Sequence, residues 1–263
     1  MKRRNQTEAI AHGEAPASGA HVPRLFLDVP LGVGIEVGLG REQVHRLVNV
    51  MRRSEGDRVL VFNGREGEWA GELAQVSKKA AVLELREQVR PQPATPGITL
   101  AFAPLKHARL DYVAQKAAEM GVARIVPVLT RHTVAGRLNV ERFRANVVEG
   151  AEQCGVLWIA EVAELVSLDR FMAGRGAAPG SAGPLVFCDE AAESVSPLDT
   201  LCSLTTPLTV LIGPEGGFSR DEREALRALD GSVPISLGPR IMRADTAIVA
   251  ALALVQASCG DWR

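Results

Sequence analysis

Two runs of residues carry types and spacings that could do chemistry, and each sits where an apolar strand would give way to a helix. In the first, the β-branched run Leu208 to Ile212 enters Gly213-Pro214-Glu215-Gly216-Gly217-Phe218-Ser219 and then a charged segment. Ser219 and Glu222 have the spacing of a capping box, in which each side chain accepts from the other's backbone N–H and so fixes where a helix begins. Glycines at the carboxyl end of a strand let a ligand approach the backbone, and open α/β sheets bind ligands at that end. No Gly-Lys-Ser/Thr follows and the glycine spacing is not that of a dinucleotide fingerprint, which disfavours phosphate cradling. Glu215 is the unexpected member of the turn. In the second run, Ile235-Ser236-Leu237 leads into Gly238-Pro239-Arg240-Ile241-Met242-Arg243. Arginines three apart can share one side of a turn and grip a phosphate or a carbonyl oxygen, or simply solvate a loop.

The elements that must position these runs follow from periodicity. Residues 1–22 mix Ala, Gly, Ser, Pro and charge without a period and are expected to form a disordered tail. From Pro23 to about Val89 the segments are short and strand-like: Arg24 to Asp28, Arg58 to Phe62, Glu68 to Val76 and Ala80 to Leu85. Asn63-Gly64 is a hairpin signal, and a helix is expected over Arg41 to Arg52, where Val44, Leu47, Val48 and Met51 share a face. The proline-rich stretch Pro91 to Gly97 ends this β-rich module, so the boundary is set at residues 95 and 96. Beyond it, strands at Ile98 to Ala103, Arg124 to Leu129, Pro184 to Cys188, Leu208 to Ile212 and Pro234 to Leu237 alternate with helices. The helices are expected at Arg109 to Met120, Val140 to Gln153, Ser219 to Leu229 and Asp245 to Ala257, with a surface loop at Gly174 to Gly183. Such alternation predicts the α/β class, a mostly parallel sheet covered on both faces. Ala247 to Val255 is apolar on nearly every side, which predicts burial all round, either within its own domain alone or against its own sheet and a second subunit.

Composition narrows the classes. At 46% apolar and 23% charged residues the chain resembles an ordinary globular protein and not a disordered one. That same apolar run is far shorter than the roughly 20 residues of a membrane span, and the basic start (Lys2, Arg3, Arg4) has no apolar stretch after it. A cytoplasmic protein is expected. The four cysteines and five histidines are scattered, so neither a metal site nor a disulfide framework is expected. The net charge of −1 hides an asymmetry: Ala101 to Arg144 holds eight basic and three acidic residues, and Ala145 to Thr200 two basic and nine acidic. Clustered positive charge of this kind can be the footprint of a polyanion.

The Gly213-Pro-Glu-Gly-Gly-Phe-Ser run, with Leu237-Gly-Pro-Arg-Ile-Met-Arg and Thr246-Ala after it, resembles the RsmE family of the SPOUT superfamily. These are bacterial methyltransferases that modify a uridine of 16S ribosomal RNA at N3. Gln115 to Val122, Ile125-Val126-Pro127 and Glu152-Gln153-Cys154-Gly155 are similar to further segments of that family. His45, Val50-Met51-Arg52 and Gly56-Asp57 resemble its PUA-like RNA-binding barrel. The resemblance spans roughly residues 23–263 and implies a barrel at 23–95 and a SPOUT domain at 96–263, with a trefoil knot in about 208–263. It implies a homodimer, S-adenosylmethionine as cofactor, and 16S ribosomal RNA or the small subunit as partner.

Carried over by residue, the donor pocket would be lined by Ile212, Gly213, Pro214, Glu215 and Gly216 from the first loop. Leu237, Gly238, Pro239, Arg240, Ile241, Met242 and Thr246 would come from the second, with Phe187 and Cys188 from a neighbouring strand. Uracil N3 bears a proton at neutral pH. Arg240 or Arg243 is therefore expected to stabilise charge developing on a uracil carbonyl oxygen, with Glu215 or solvent taking the proton. The target base must be reached in a single-stranded loop or flipped from a stack. Arg46, Arg52, Arg53 and Arg58 in the barrel, with Lys106, Arg109, Lys116 and Arg131 beyond it, are candidates for holding the RNA backbone. The competing readings are an RNA-binding module that has lost catalysis, a methyltransferase of another RNA base or position, and an unrelated α/β enzyme with a nucleotide-like cofactor.

Overall fold

The computed structural model describes residues 22–175, 183–192 and 196–262 and builds two sheets from them. The expected tail, apart from its last residue, and most of the Gly174 to Gly183 loop lie outside the described residues. The first sheet comprises β1 (Arg24–Phe26), β2 (Glu36–Gly38), β3 (Arg58–Phe62), β4 (Glu68–Ala74) and β5 (Val82–Arg90), in the order β1-β3-β4-β5-β2. β1 runs parallel to β3, and the other pairings are antiparallel. The β3–β4 hairpin turns at Asn63, whose Oδ1 accepts from the backbone N–H groups of Arg65 and Glu66, both at 3.0 Å. Alternate residues Val59 and Val61 meet Leu73, Leu83, Leu85, Leu25 and Leu47 in a core of their own.

Between β2 and β3 the helix expected over Arg41 to Arg52 is regular only as α1 (Arg41–Val44). From His45 to Val50 it widens to a π-helix, with Met51 N–H donating to the Arg46 carbonyl and Arg53 N–H to that of Leu47. The wider turn keeps Leu47 buried, exposes Val50, and ends at Arg52 in the left-handed region with φ +55°. The strand expected at Ala80 to Leu85 begins at Val82 and extends to Arg90, because its pairing with β4 continues through two register shifts.

The second sheet is built from β6 (Ile98–Phe102), β7 (Arg124–Leu129), β8 (Glu161–Val162), β9 (Val166–Ser167), β10 (Leu185–Cys188), β11 (Leu208–Ile212) and β12 (Ser232–Ile235). Its order is β12-β10-β11-β6-β7-β8, with β9 also on β7, and every pairing is parallel. The helices are α2 (His107–Glu119), α3 (Val140–Cys154), α4 (Leu168–Ala173), α5 (Pro197–Cys202), α6 (Arg220–Ala228) and α7 (Ala244–Cys259). The strand expected at Pro234 to Leu237 lies two residues earlier, since pairing with β10 sets Leu185 opposite Ser232 and Cys188 opposite Ile235. Ser236 and Leu237 are thereby released into the following loop. The two-residue strands β8 and β9 and the six-residue helices α4 and α5 are too short to leave a period in the sequence. One face of α7 is buried through Ala247, Ile248, Ala251, Leu252 and Val255, while Val249, Ala250, Ala253 and Leu254 are only half-buried. No helix among the described residues is long and apolar enough to cross a membrane.

A buried charge network joins the two sheets. Arg24 bonds Glu68 (Nε to Oε1, 2.6 Å), the carbonyls of Ala151 and Glu152 (both 2.8 Å) and that of Val156 (3.2 Å), and lies over the Phe62 ring. Glu152 on α3 accepts from the Phe26 N–H at 2.9 Å and pairs with Arg46. Glu68 also takes Arg90 at 2.7 Å. Burial alone would raise the Glu68 pKa, but its bonds to Arg90 and Arg24 and their charges outweigh this and hold the carboxyl below its ordinary value. A carboxylate depressed on folding adds stability that is complete above its unfolded pKa and is lost as pH falls through the folded one. Glu68→Gln, which leaves Arg24 buried without its counter-ion, should cost about 3 kcal/mol at pH 7. Its melting temperature should also fall less steeply than that of the wild type below pH 4.5 in thermal scans; parallel acid limbs would refute this account of Glu68.

Candidate active site

Parallel register makes the site. Phe187 lies opposite Leu211, and Cys188 lies opposite Ile235, so β10, β11 and β12 end at one level. Their three exits, Asp189-Glu190, Gly213 to Phe218 and Ser236 to Met242, surround a single cleft of about 700 Å³, open to solvent. This is the carboxyl end of an open parallel sheet, where such sheets bind ligands. α6 starts where the capping box predicts: Ser219 N–H donates to Glu222 Oε2 at 2.9 Å, and Glu222 N–H to Ser219 Oγ at 3.3 Å. A Cβ at Gly213 would press on the Phe218 ring at 3.1 Å, so the ring would have to give by a few tenths of an ångström. Gly238 adopts φ +102°, a conformation side chains rarely take.

Of the residues named from the sequence, Cys188, Ile212, Gly213, Pro214 and Glu215 line the cleft from β10, β11 and the first loop. Leu237, Gly238, Arg240, Ile241 and Met242 line it from the second. Gly216, Pro239 and Thr246 lie outside the lining. Phe187 points the other way: alternation along β10 buries its ring in the core on the opposite face, edge-on to Phe218 at 6.1 Å. Arg243 precedes α7 and is also outside the lining; its Nη2 stands 3.6 Å from Asp245 Oδ2. Arg109, from α2, reaches the same mouth and pairs with Glu215 at 3.0 Å and with Asp245 at 3.7 Å.

Several lining or supporting residues carry no sequence signal. Asp189, at the end of β10, is buried and holds Arg223 at 3.1 Å and Arg227 at 2.7 Å, so it clamps α6 beneath the cleft. His132 brings Nδ1 to 3.1 Å from the carbonyl oxygens of both Gly216 and Gly217. Two acceptors require that nitrogen to carry the proton, so His132 donates to the donor-side loop and braces it. Arg131 N–H donates to Glu222 Oε1 at 2.7 Å and ties the same stretch to the capping box. Arg46, Arg58 and Lys116 are each held by a carboxylate, from Glu152, Glu87 and Glu119, while Arg52 and Arg131 extend to solvent and Arg53 is half-buried. Among the described residues no cluster of His, Cys, Asp and Glu could hold a metal ion.

A family model for the RNA methyltransferase domain matches residues 92–256, and one for the RNA methyltransferase PUA domain matches 39–86. The chain belongs to this family. Ribosomal RNA small subunit methyltransferase E of Rickettsia conorii is 28% identical over 89% of this chain and 94% of its own length, and that of Synechocystis 30% identical over 84% and 73%. The Neisseria gonorrhoeae ribosomal RNA small subunit methyltransferase E bound to S-adenosyl methionine superposes with a TM-score of 0.80 at 26% identity, covering 92% of this chain and all of that one. A Legionella pneumophila methyltransferase in complex with the same cofactor gives 0.81 at 28% identity and equal coverage. The family's fold is a SPOUT-type α/β domain preceded by a PUA domain, which are the parallel seven-stranded sheet and the smaller first sheet seen here.

In the cleft, burial pushes the Cys188 thiol up to about 12. At pH 8 the thiolate is therefore scarce, and iodoacetamide should modify exposed Cys202 well before Cys188, as read by peptide mass spectrometry. Labelling of Cys188 at an equal rate would contradict the burial assigned to it. His132→Ala should weaken binding of the methyl donor about tenfold in calorimetry while leaving the melting temperature nearly unchanged, because the side chain is exposed and acts on the loop alone.

Proposed function

We propose that the chain is an S-adenosylmethionine-dependent methyltransferase of small-subunit (16S) ribosomal RNA, and that it acts at N3 of a uridine. The observation that carries this reading is the single cleft formed where three parallel strands release their loops at one level. Its residues suit the cofactor. Ile212, Leu237, Met242 and Ala247 offer apolar walls to a purine, loop backbone groups offer hydrogen bonds, and the carboxylates of Glu215 and Glu190 complement a cationic ligand. When bound there, the cofactor supplies an electrophilic methyl carbon. The protein's part is to align a nucleophile with it and to make that nucleophile available.

Uracil N3 becomes nucleophilic when its proton leaves and charge moves to the carbonyl oxygens. Arg240 at the cleft wall, or Arg243 at its mouth, supplies fixed positive charge for those oxygens. Glu215, which lines the cleft and pairs with Arg109, or solvent takes the proton. Basic residues of the barrel and of α2 hold the RNA backbone, with Arg52 and Arg58 the exposed candidates on the first sheet's side. The half-buried face of α7 is the surface on which we place a homodimer contact. The threading of residues 208–263 as a knot, and a cytoplasmic location with the assembling subunits, belong to the same proposal.

Mass spectrometry of small-subunit ribosomal RNA from a deletion strain should reveal one uridine that has lost an N3 methyl group, restored by the recombinant protein. RNA unchanged in that strain would overturn the reading. Arg240→Ala should lower the single-turnover rate about 100-fold at saturating RNA. Normal turnover in that variant would reduce Arg240 to a phosphate contact.

A further inference from the structure

Next to the active site, the loop between β7 and α3 closes a trough against the start of α2, and of its lining residues only Lys106 has been given a part, as a candidate RNA-backbone contact. Two adjoining hollows make up the trough, of about 860 and 940 Å³, both open to solvent and sharing Leu110 and Arg137. The buried side chains of Leu105, Leu110 and Phe143 lie under it, and Val134, 71% exposed, offers apolar surface in its lining. Its charge is one-sided. The only acid in the lining, Asp111, is taken up by Arg142 (3.2 and 2.5 Å) and Asn146 (2.8 Å). Lys106 and Arg137 have no ion pair among the described residues.

Two of the segments that line the trough are tied to the active site. Arg109, one residue before Leu110, reaches Glu215, and His132 touches the Gly216-Gly217 backbone. From His132 to Ala135 the chain can span no more than about 11 Å. A basic hollow with an exposed aliphatic side chain suits a nucleotide whose base packs on Val134 while its phosphate meets Lys106 and Arg137.

We infer that the Lys106–Arg137 trough is a subsite for an unpaired nucleotide flanking the target uridine, so that the enzyme grips the RNA strand beside the base it methylates. The inference rests on the reading of the chain as a ribosomal RNA methyltransferase. It also gives Arg137 and Val134, which carry no motif, a part in choosing the substrate.

The test uses the full-length protein and a single-stranded RNA fragment containing the methylated uridine identified in the deletion strain. Arg137→Ala and Val134→Ser should each raise the KM for RNA about tenfold, with calorimetric affinity for S-adenosylmethionine and the melting temperature unchanged. Arg137→Ala should also reduce the slope of log K against log salt by about 0.7, the share of one phosphate on a single strand. A photoreactive nucleotide next to the target should crosslink to the 131–142 segment. Unchanged KM and salt slope, or crosslinks only elsewhere, would overturn the subsite. So would a defect seen with assembled subunits but not with naked RNA, which would assign the trough to a ribosomal protein. Failure of the wild type to methylate any RNA fragment or subunit would instead overturn the methyltransferase reading.

Discussion

Hydrogen-bond register across β12, β10 and β11 is the constraint on which the rest of the structure depends. Three strands that end at the same height must release their chains side by side, and the cleft is the space those chains leave. A slip of one residue in β12 would turn Ile235 from the core toward the opposite face and shift Leu237 and Gly238 along the rim. The buried β11 strand, all five residues of it apolar or paired, fixes the centre of this arrangement. α6, pinned by Asp189 through Arg223 and Arg227, supports it from one side.

The second constraint is the charged joint between the sheets. Arg24 and Glu152 each serve both halves of the molecule, one through its guanidinium donors and the other through its carboxylate and carbonyl. Such a joint demands good geometry because every buried charge needs its partner. It therefore orients the small sheet relative to α3 more sharply than an apolar contact would. The first sheet is thereby held in a fixed relation to α3 and the sheet behind it. The cost falls on Arg46, a candidate RNA contact that the joint occupies with Glu152.

Much of this was legible from residue order. The capping box at Ser219 and Glu222, the turn at Asn63 and the strands Arg58–Phe62, Arg124–Leu129 and Leu208–Ile212 stand where local pattern puts them, because each rests on neighbours in the chain. The β2 strand, the π-helical turn after Val44 and the register of β12 were not legible, because each is set by a partner far away in sequence. Phe187 illustrates the difference in the site itself. Its position at the end of β10 suggests the pocket, but strand alternation sends its ring into the core and leaves the cleft to Cys188.

What the sequence by itself determined is the chemistry available: two glycine-proline turns after strands, an acid in one, two arginines in the other, and no metal-ligand spacing. What only the tertiary structure decided is which of these groups meet. Arg109 comes to Glu215, His132 to the Gly216-Gly217 backbone and Asp189 to Arg227, across separations of many residues. The physical reason is that motifs encode local backbone conformation. Convergence is set by parallel pairing and by buried charge compensation, whose partners are joined through space and leave no period in the chain.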